Sequence, residues 1–130
     1  QETARSLYYE VNKVFCYLSV AAIIGNKYFC AHGGISPWLF TRRQLRGLHK
    51  PCVHSSDDVF VNDMVWSDPA IGLRGTAFNF KRGTSIYFGL DALVHALKSM
   101  GCVAILRGHT MVKGGYEITW GVCFTIFSAS

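Results

Sequence analysis

Apolar residues recur at Leu7, Val11, Val14, Phe15 and Leu18, a spacing that lines one face of a helix and predicts a helix over about 4–18. Leu90, Leu93, Val94, Leu97 and Met100 repeat the pattern. There, Asp91 near the start and Lys98 near the end match the helix dipole, and Gly101 suits the C-terminal cap. Between these helices the period changes. The apolar run 20–24, the turn signal Gly25-Asn26 and the run 27–31 read as a β-hairpin. Residues 103–106 read as a buried strand. Gly114-Gly115 marks a turn, and 117–120 with 122–127 read as a final hairpin. A short basic helix is expected over 41–48. Asp57 and Asp58 favour the start of another helix, which runs to about Trp66 and stops at Ser67-Asp68-Pro69, because a residue before proline is driven out of helical space. Residues 70–83 contain three glycines and no period, and read as an extended surface loop. Helices and strands alternate without repeats or linkers, so the pattern describes one α/β domain over residues 1–130.

Composition narrows this picture. Half of the 130 residues are apolar and 14% are aromatic, which excludes a disordered chain or a repetitive fibre. Charged residues make up only 16%, as expected of elements that are mostly buried or that pack against more protein. The uncharged stretch 14–26 is too short to span a bilayer, and the start lacks the basic and apolar regions of a signal peptide. The net charge of +5 favours an acidic or phosphate-bearing partner without naming one. Five cysteines, an odd number with no C-x-x-C pair, fit reduced thiols in the cytoplasm or nucleus. The chain has no initiator methionine and stops two residues after a strand-like run, so a piece of a longer protein is expected.

Two strands end in a polar residue beside glycine. The run 27–31 delivers His32 before Gly33-Gly34, and the run 103–106 delivers Arg107-Gly108-His109. Functional groups on α/β scaffolds collect at strand ends, and neutral imidazole is a ligand for borderline transition metals. Either histidine alone could equally be a hydrogen-bonded cap. His49, Cys52 and His54 form an H-x-x-C-x-H cluster that reads either as zinc ligands without a fourth partner or as an ordinary loop. Arg42, Arg43, Arg46 and Lys50 read as a solvated basic face, since no aromatic residues interleave them.

Five segments in order carry a resemblance. They are Phe29-Cys30-Ala31-His32-Gly33-Gly34-Ile35-Ser36-Pro37, Asp63-Met64-Val65-Trp66-Ser67-Asp68-Pro69, Arg107-Gly108-His109-Thr110, Gly115-Tyr116-Glu117 and Phe124-Thr125-Ile126-Phe127-Ser128-Ala129. Together they resemble the C-terminal half of the catalytic domain of the phosphoprotein phosphatase family of serine/threonine protein phosphatases, which are calcineurin-like metallophosphoesterases. The resemblance implies a β-sandwich flanked by helices, with two divalent metal ions at the strand ends, manganese foremost and iron or zinc as alternatives. It implies a metal-bridging hydroxide that attacks phosphorus in line, since paired ions lower the pKa of bound water and offset transition-state charge. His32 and His109 match metal ligands on the same ion. Trp66 matches a position lining the substrate groove, although core packing accounts for it equally well. Arg82 matches the arginine that clamps phosphate: Arg82-Gly83 leads through Phe88-Gly89 into the helix that follows, whereas Arg74 comes too early. The family's Gly-Asp-x-His-Gly, Gly-Asp-x-x-Asp-Arg-Gly and Gly-Asn-His-Glu motifs do not occur in these residues, so the bridging carboxylate and the general-acid histidine are expected upstream.

The implied activity is metal-dependent hydrolysis of phosphoserine and phosphothreonine in proteins by the intact molecule, with this chain inactive by itself. The implied partners are phosphorylated proteins and regulatory subunits, with neither membrane nor nucleic acid. Two other readings stand beside it. One is a non-catalytic phosphatase-like module that keeps the groove for binding. The other is a basic nucleic-acid-binding domain, supported only by the isoelectric point of 9.1.

Overall fold

The computed structural model describes residues 2–52 and 58–129. Helix α1 (Glu2–Phe15) leads into the hairpin of β1 (Ala21–Ile24) and β2 (Tyr28–Ala31). Gly25 and Asn26 at its tip both take positive φ, as the turn signal requires. Helix α2 (Arg42–Arg46) begins with a capping box, in which Thr41 and Gln44 each accept the other's backbone N–H. Helix α3 (Val59–Trp66) is capped by Asp58, whose carboxylate accepts the Val61 N–H. Asp57 and His54, and with them the completeness of the H-x-x-C-x-H cluster, lie outside the described residues.

Strand β3 (Asp68–Pro69) follows α3 directly, and β4 (Thr76–Phe78), β5 (Ile86–Phe88) and α4 (Leu90–Ser99) come next. The loop expected over 70–83 therefore contains a strand. All three residues of β4 are exposed and too few to show an alternation, so only pairing with β5 defines it. The last strands are β6 (Ala104–Arg107), β7 (Tyr116–Thr119) and β8 (Cys123–Ile126). They build a five-stranded sheet of order β1-β2-β6-β8-β7, accompanied by a three-stranded sheet of order β3-β5-β4.

The centre of the larger sheet explains where the site lies. Strands β2, β6 and β8 run parallel, with Phe29 opposite Ile105 and Ile105 opposite Cys123. These three side chains are fully buried and join Phe88, Leu93, Leu97 and Met64 in one core. Two residues further along, the same face carries Arg107 opposite Thr125, both buried. The apolar core thus gives way to a polar layer where the parallel strands end. Gly33 and Gly34 close this end by sending their N–H groups to the Met64 carbonyl, at 2.8 and 3.3 Å. A Cβ on Gly33 would strike the Val65 carbonyl, and one on Gly34 the Phe88 ring and the Ser67 hydroxyl, so only glycine fits there.

Two further expectations are corrected. The apolar stripe of α1 is real, but the helix ends at Phe15, and Leu7, Val14, Phe15 and Leu18 are all exposed because no described element covers them. Arg42 is not part of a solvated face. It donates to the carbonyls of Met100 and Gly101 behind α4 and to that of Asn26 in the first hairpin, and so pins α2 to both.

Candidate active site

His32 follows β2 and His109 follows β6, and the parallel pairing of those strands brings the two together. His109 Nδ1 lies 3.2 Å from His32 Nε2. Nitrogens that share one ion at about 2.0–2.1 Å, with an angle between roughly 90° and 110°, lie about 2.8–3.4 Å apart. The pair therefore fits a single borderline metal ion. The surroundings of both rings favour the neutral form that ligation needs. Burial lowers the pKa of His32, helped by the charges of Arg107 and Arg82. Burial also lowers His109, to about 4; the nearby Asp68 carboxylate opposes the shift and the arginines reinforce it. No group of three or more metal-ligating side chains forms among the described residues.

His109 takes a φ of 67°, in the left-handed region that a non-glycine residue occupies at a cost of about 1 kcal/mol or more. Its carbonyl accepts Arg82 Nη2 at 3.3 Å, and the Thr110 N–H folds back to the Gly108 carbonyl at 2.7 Å. His109 Nε2 is buried with no hydrogen-bond partner among the described residues. Trp66, at the end of α3, meets the His109 ring edge-on, with centroids 5.2 Å apart. The indole is half-buried, so it packs against the histidine and keeps one side open to solvent.

Behind the histidines lies a network organised by Asp68. One carboxylate oxygen accepts Arg107 Nη2 at 2.9 Å and the Thr110 hydroxyl at 3.0 Å. The other accepts Arg82 Nε at 2.9 Å and Asn79 Nδ2 at 3.0 Å. Burial alone would raise the Asp68 pKa, but the hydrogen bonds from Arg82, Asn79 and Thr110 and the charge of Arg107 outweigh it and hold the group at about 2. Arg107, whose side chain is only 1% exposed, also donates to the carbonyls of Gly33 and Ser67. It thereby ties the end of β2 to the end of α3. Arg82 is 24% exposed, and its Nη1 has no protein partner among the described residues. Arg74, by contrast, is exposed beside the start of α4, where its charge faces Asp91.

The sequence therefore pointed to His32, His109, Trp66 and Arg82, and all four meet at one end of the larger sheet. It assigned no role to Asp68, Arg107 or Asn79. The available signal was an arginine closing an otherwise apolar strand, which needs a buried acceptor wherever it folds.

Asp68 predicts an acid response. Its folded pKa lies below the usual 3.8, so the unfolded chain takes up the proton first as pH falls. The stabilisation is complete above the ordinary value and is lost as pH drops through about 2, a change of roughly 2 kcal/mol. Urea midpoints measured between pH 4.5 and about 2 should fall more steeply in the parent than in Asp68→Asn, which keeps only the smaller contribution of other carboxylates such as Asp91. Equal acid slopes in the two proteins would contradict the network.

The chain is similar to known proteins in sequence and in overall fold. The sequence matches the calcineurin-like phosphoesterase family over residues 2–113, and the chain belongs to that family. It is 37% identical over 124 residues to the serine/threonine-protein phosphatase C23G10.1 of Caenorhabditis elegans, covering 95% of this chain and 27% of that protein. A second relative in that organism, described as a putative serine/threonine-protein phosphatase, C27B7.6, is 35% identical over 91% of this chain and 26% of its own length. Among solved structures, a protein serine/threonine phosphatase from Saccharomyces cerevisiae, with similarity to human phosphatase PP5, superposes with a TM-score of 0.79. That match has 25% identity and covers 90% of this chain and 36% of the other. The chain thus spans about a quarter of the length of these curated relatives. The β-sheets and helices match the calcineurin-like phosphoesterase fold, and a phosphoesterase of this family uses divalent metal ions.

Proposed function

We propose that this chain is part of the catalytic domain of a metal-dependent protein phosphatase that hydrolyses phosphoserine and phosphothreonine. The observation that carries the reading is the convergence of His109 Nδ1 and His32 Nε2 at 3.2 Å, at the ends of parallel strands. These two nitrogens hold one divalent ion, with manganese preferred over iron or zinc. A pair of such ions lowers the pKa of bound water and offsets charge on the phosphoryl group. Arg82 meets the substrate phosphate. Asp68 orients its Nε, and Nη1 is left to donate to a phosphate oxygen. Trp66 lines one wall of the substrate groove and limits the rotation of His109. The bridging carboxylate, the remaining ligands and the general acid come from outside these 130 residues. The physiological substrates are phosphorylated proteins, selected with the help of regulatory subunits. The five free thiols support a reducing compartment, cytoplasmic or nuclear. No helix among the described residues is long and apolar enough to cross a membrane.

The reading predicts that the 130-residue chain, supplied with excess manganese, turns over neither p-nitrophenyl phosphate nor a phosphoserine peptide. The intact protein hydrolyses both. Sustained turnover that scales with the isolated chain would overturn the division of ligands. An intact protein that binds the phosphopeptide and leaves it uncleaved would instead establish the non-catalytic module.

A further inference from the structure

We propose that Cys16 and Cys52 are a redox-responsive pair that closes into a disulfide when the protein meets a hydroperoxide. Cys16 lies in the turn that ends α1, and Cys52 lies beyond α2, just after Pro51. The Cys52 N–H nevertheless donates to the Cys16 carbonyl at 2.7 Å. The contact is reinforced next door, where the Lys50 ammonium donates to the Leu18 carbonyl. A single backbone N–H···O=C bond, as in a closed turn, keeps the two Cα atoms within about 7 Å. A disulfide accepts Cα separations of about 4.4–6.8 Å, a range that overlaps the one this contact imposes.

Among the other cysteines, Cys30 and Cys102 lie close enough for their charges to interact, but Cys102 is buried and no backbone hydrogen bond joins the two among the described residues. Cys30 faces Leu106 across the sheet, and Cys123 faces Ile105 on one side and Thr119 on the other. Cys102 and Cys123 are buried, whereas Cys16 and Cys52 are both partly exposed and within reach of a small oxidant. The Cys16 thiol now donates to the Asn12 carbonyl within α1, at 3.3 Å, and must leave that bond to pair with Cys52. Nothing in the candidate active site uses either thiol.

The chemistry balances with the hydroperoxide as the sole oxidant. One thiolate attacks the O–O bond, expels water or an alcohol and becomes a sulfenic acid. The second thiolate attacks that sulfur and displaces hydroxide, which leaves as water once protonated. Two thiols lose two electrons and two protons, and the hydroperoxide is reduced. The product ties the end of α1, whose apolar face no described element covers, to the segment that precedes α3.

The test exposes the intact protein to graded hydrogen peroxide, alkylates the remaining thiols and maps the peptides by mass spectrometry. The expected product is a Cys16–Cys52 linked peptide that a dithiol reductant removes and that neither Cys16→Ser nor Cys52→Ser forms. The oxidised parent should also melt roughly 10 °C above its reduced form, because the bond constrains a long loop of the unfolded chain. The serine variants should show no such increment. The proposal fails if both thiols stay alkylatable, if each oxidises separately to sulfinic acid, or if they pair with other cysteines instead.

Discussion

Asp68→Ala is expected to destabilise the protein that carries this chain by about 3–5 kcal/mol, the range for a buried charge that loses its partner. The carboxylate has four donors, two of them guanidinium groups, and alanine removes the acceptor that all four share. Arg107 suffers most, because its side chain is almost wholly buried and no other carboxylate is bonded to it among the described residues. The released arginine also loosens its hold on the Gly33 carbonyl and so on the end of β2. Equilibrium denaturation in urea measures the effect directly. A cost below about 1 kcal/mol would mean that Asp68 behaves as a surface ion pair and not as the centre of the network.

Arg82→Ala is expected to lower kcat/KM of the intact phosphatase by roughly 10²–10³-fold, the usual loss when one preorganised donor to developing charge is removed. Arg74→Ala should remain near the parent. The contrast rests on placement. Arg82 is tethered to Asp68 and to the His109 carbonyl, with Nη1 left for a ligand, while Arg74 lies in solvent by α4. Arg82→Lys should recover little of the loss, since an ammonium cannot hold Asp68 and reach phosphate with the same fork. Reversed behaviour of Arg82→Ala and Arg74→Ala, with both proteins folded at the assay temperature, would show that the wrong arginine has been chosen.

Local signals in the sequence were sufficient for much of this fold. The stripe from Leu90 to Met100 named a helix correctly because a buried face imposes the period, and Leu93, Ala96 and Leu97 are indeed buried. Gly25-Asn26 marked its hairpin because positive φ restricts the residues that can sit there. Strand β4 was illegible for the opposite reason, since none of its residues is buried and nothing imposes alternation. Arg42 was read as solvent-facing because its acceptors, the carbonyls of Asn26, Met100 and Gly101, come from distant parts of the chain. The same limit applies at the candidate site. His32 and His109 stood out beside glycines at strand ends. Asp68 and Asn79 become visible only once folding brings them to Arg82 and Arg107.

The central claim is that His32 and His109 share one divalent ion. Equilibrium dialysis of the intact protein against manganese, with bound metal counted by mass spectrometry, measures it. The parent, His32→Ala and His109→Ala should be compared at one pH, near neutrality. Each substitution should remove or weaken by at least tenfold the same single ion, and the double variant should lose no more than either alone. Full, parent-like metal occupancy in both single variants would contradict the claim, as would the loss of two different ions.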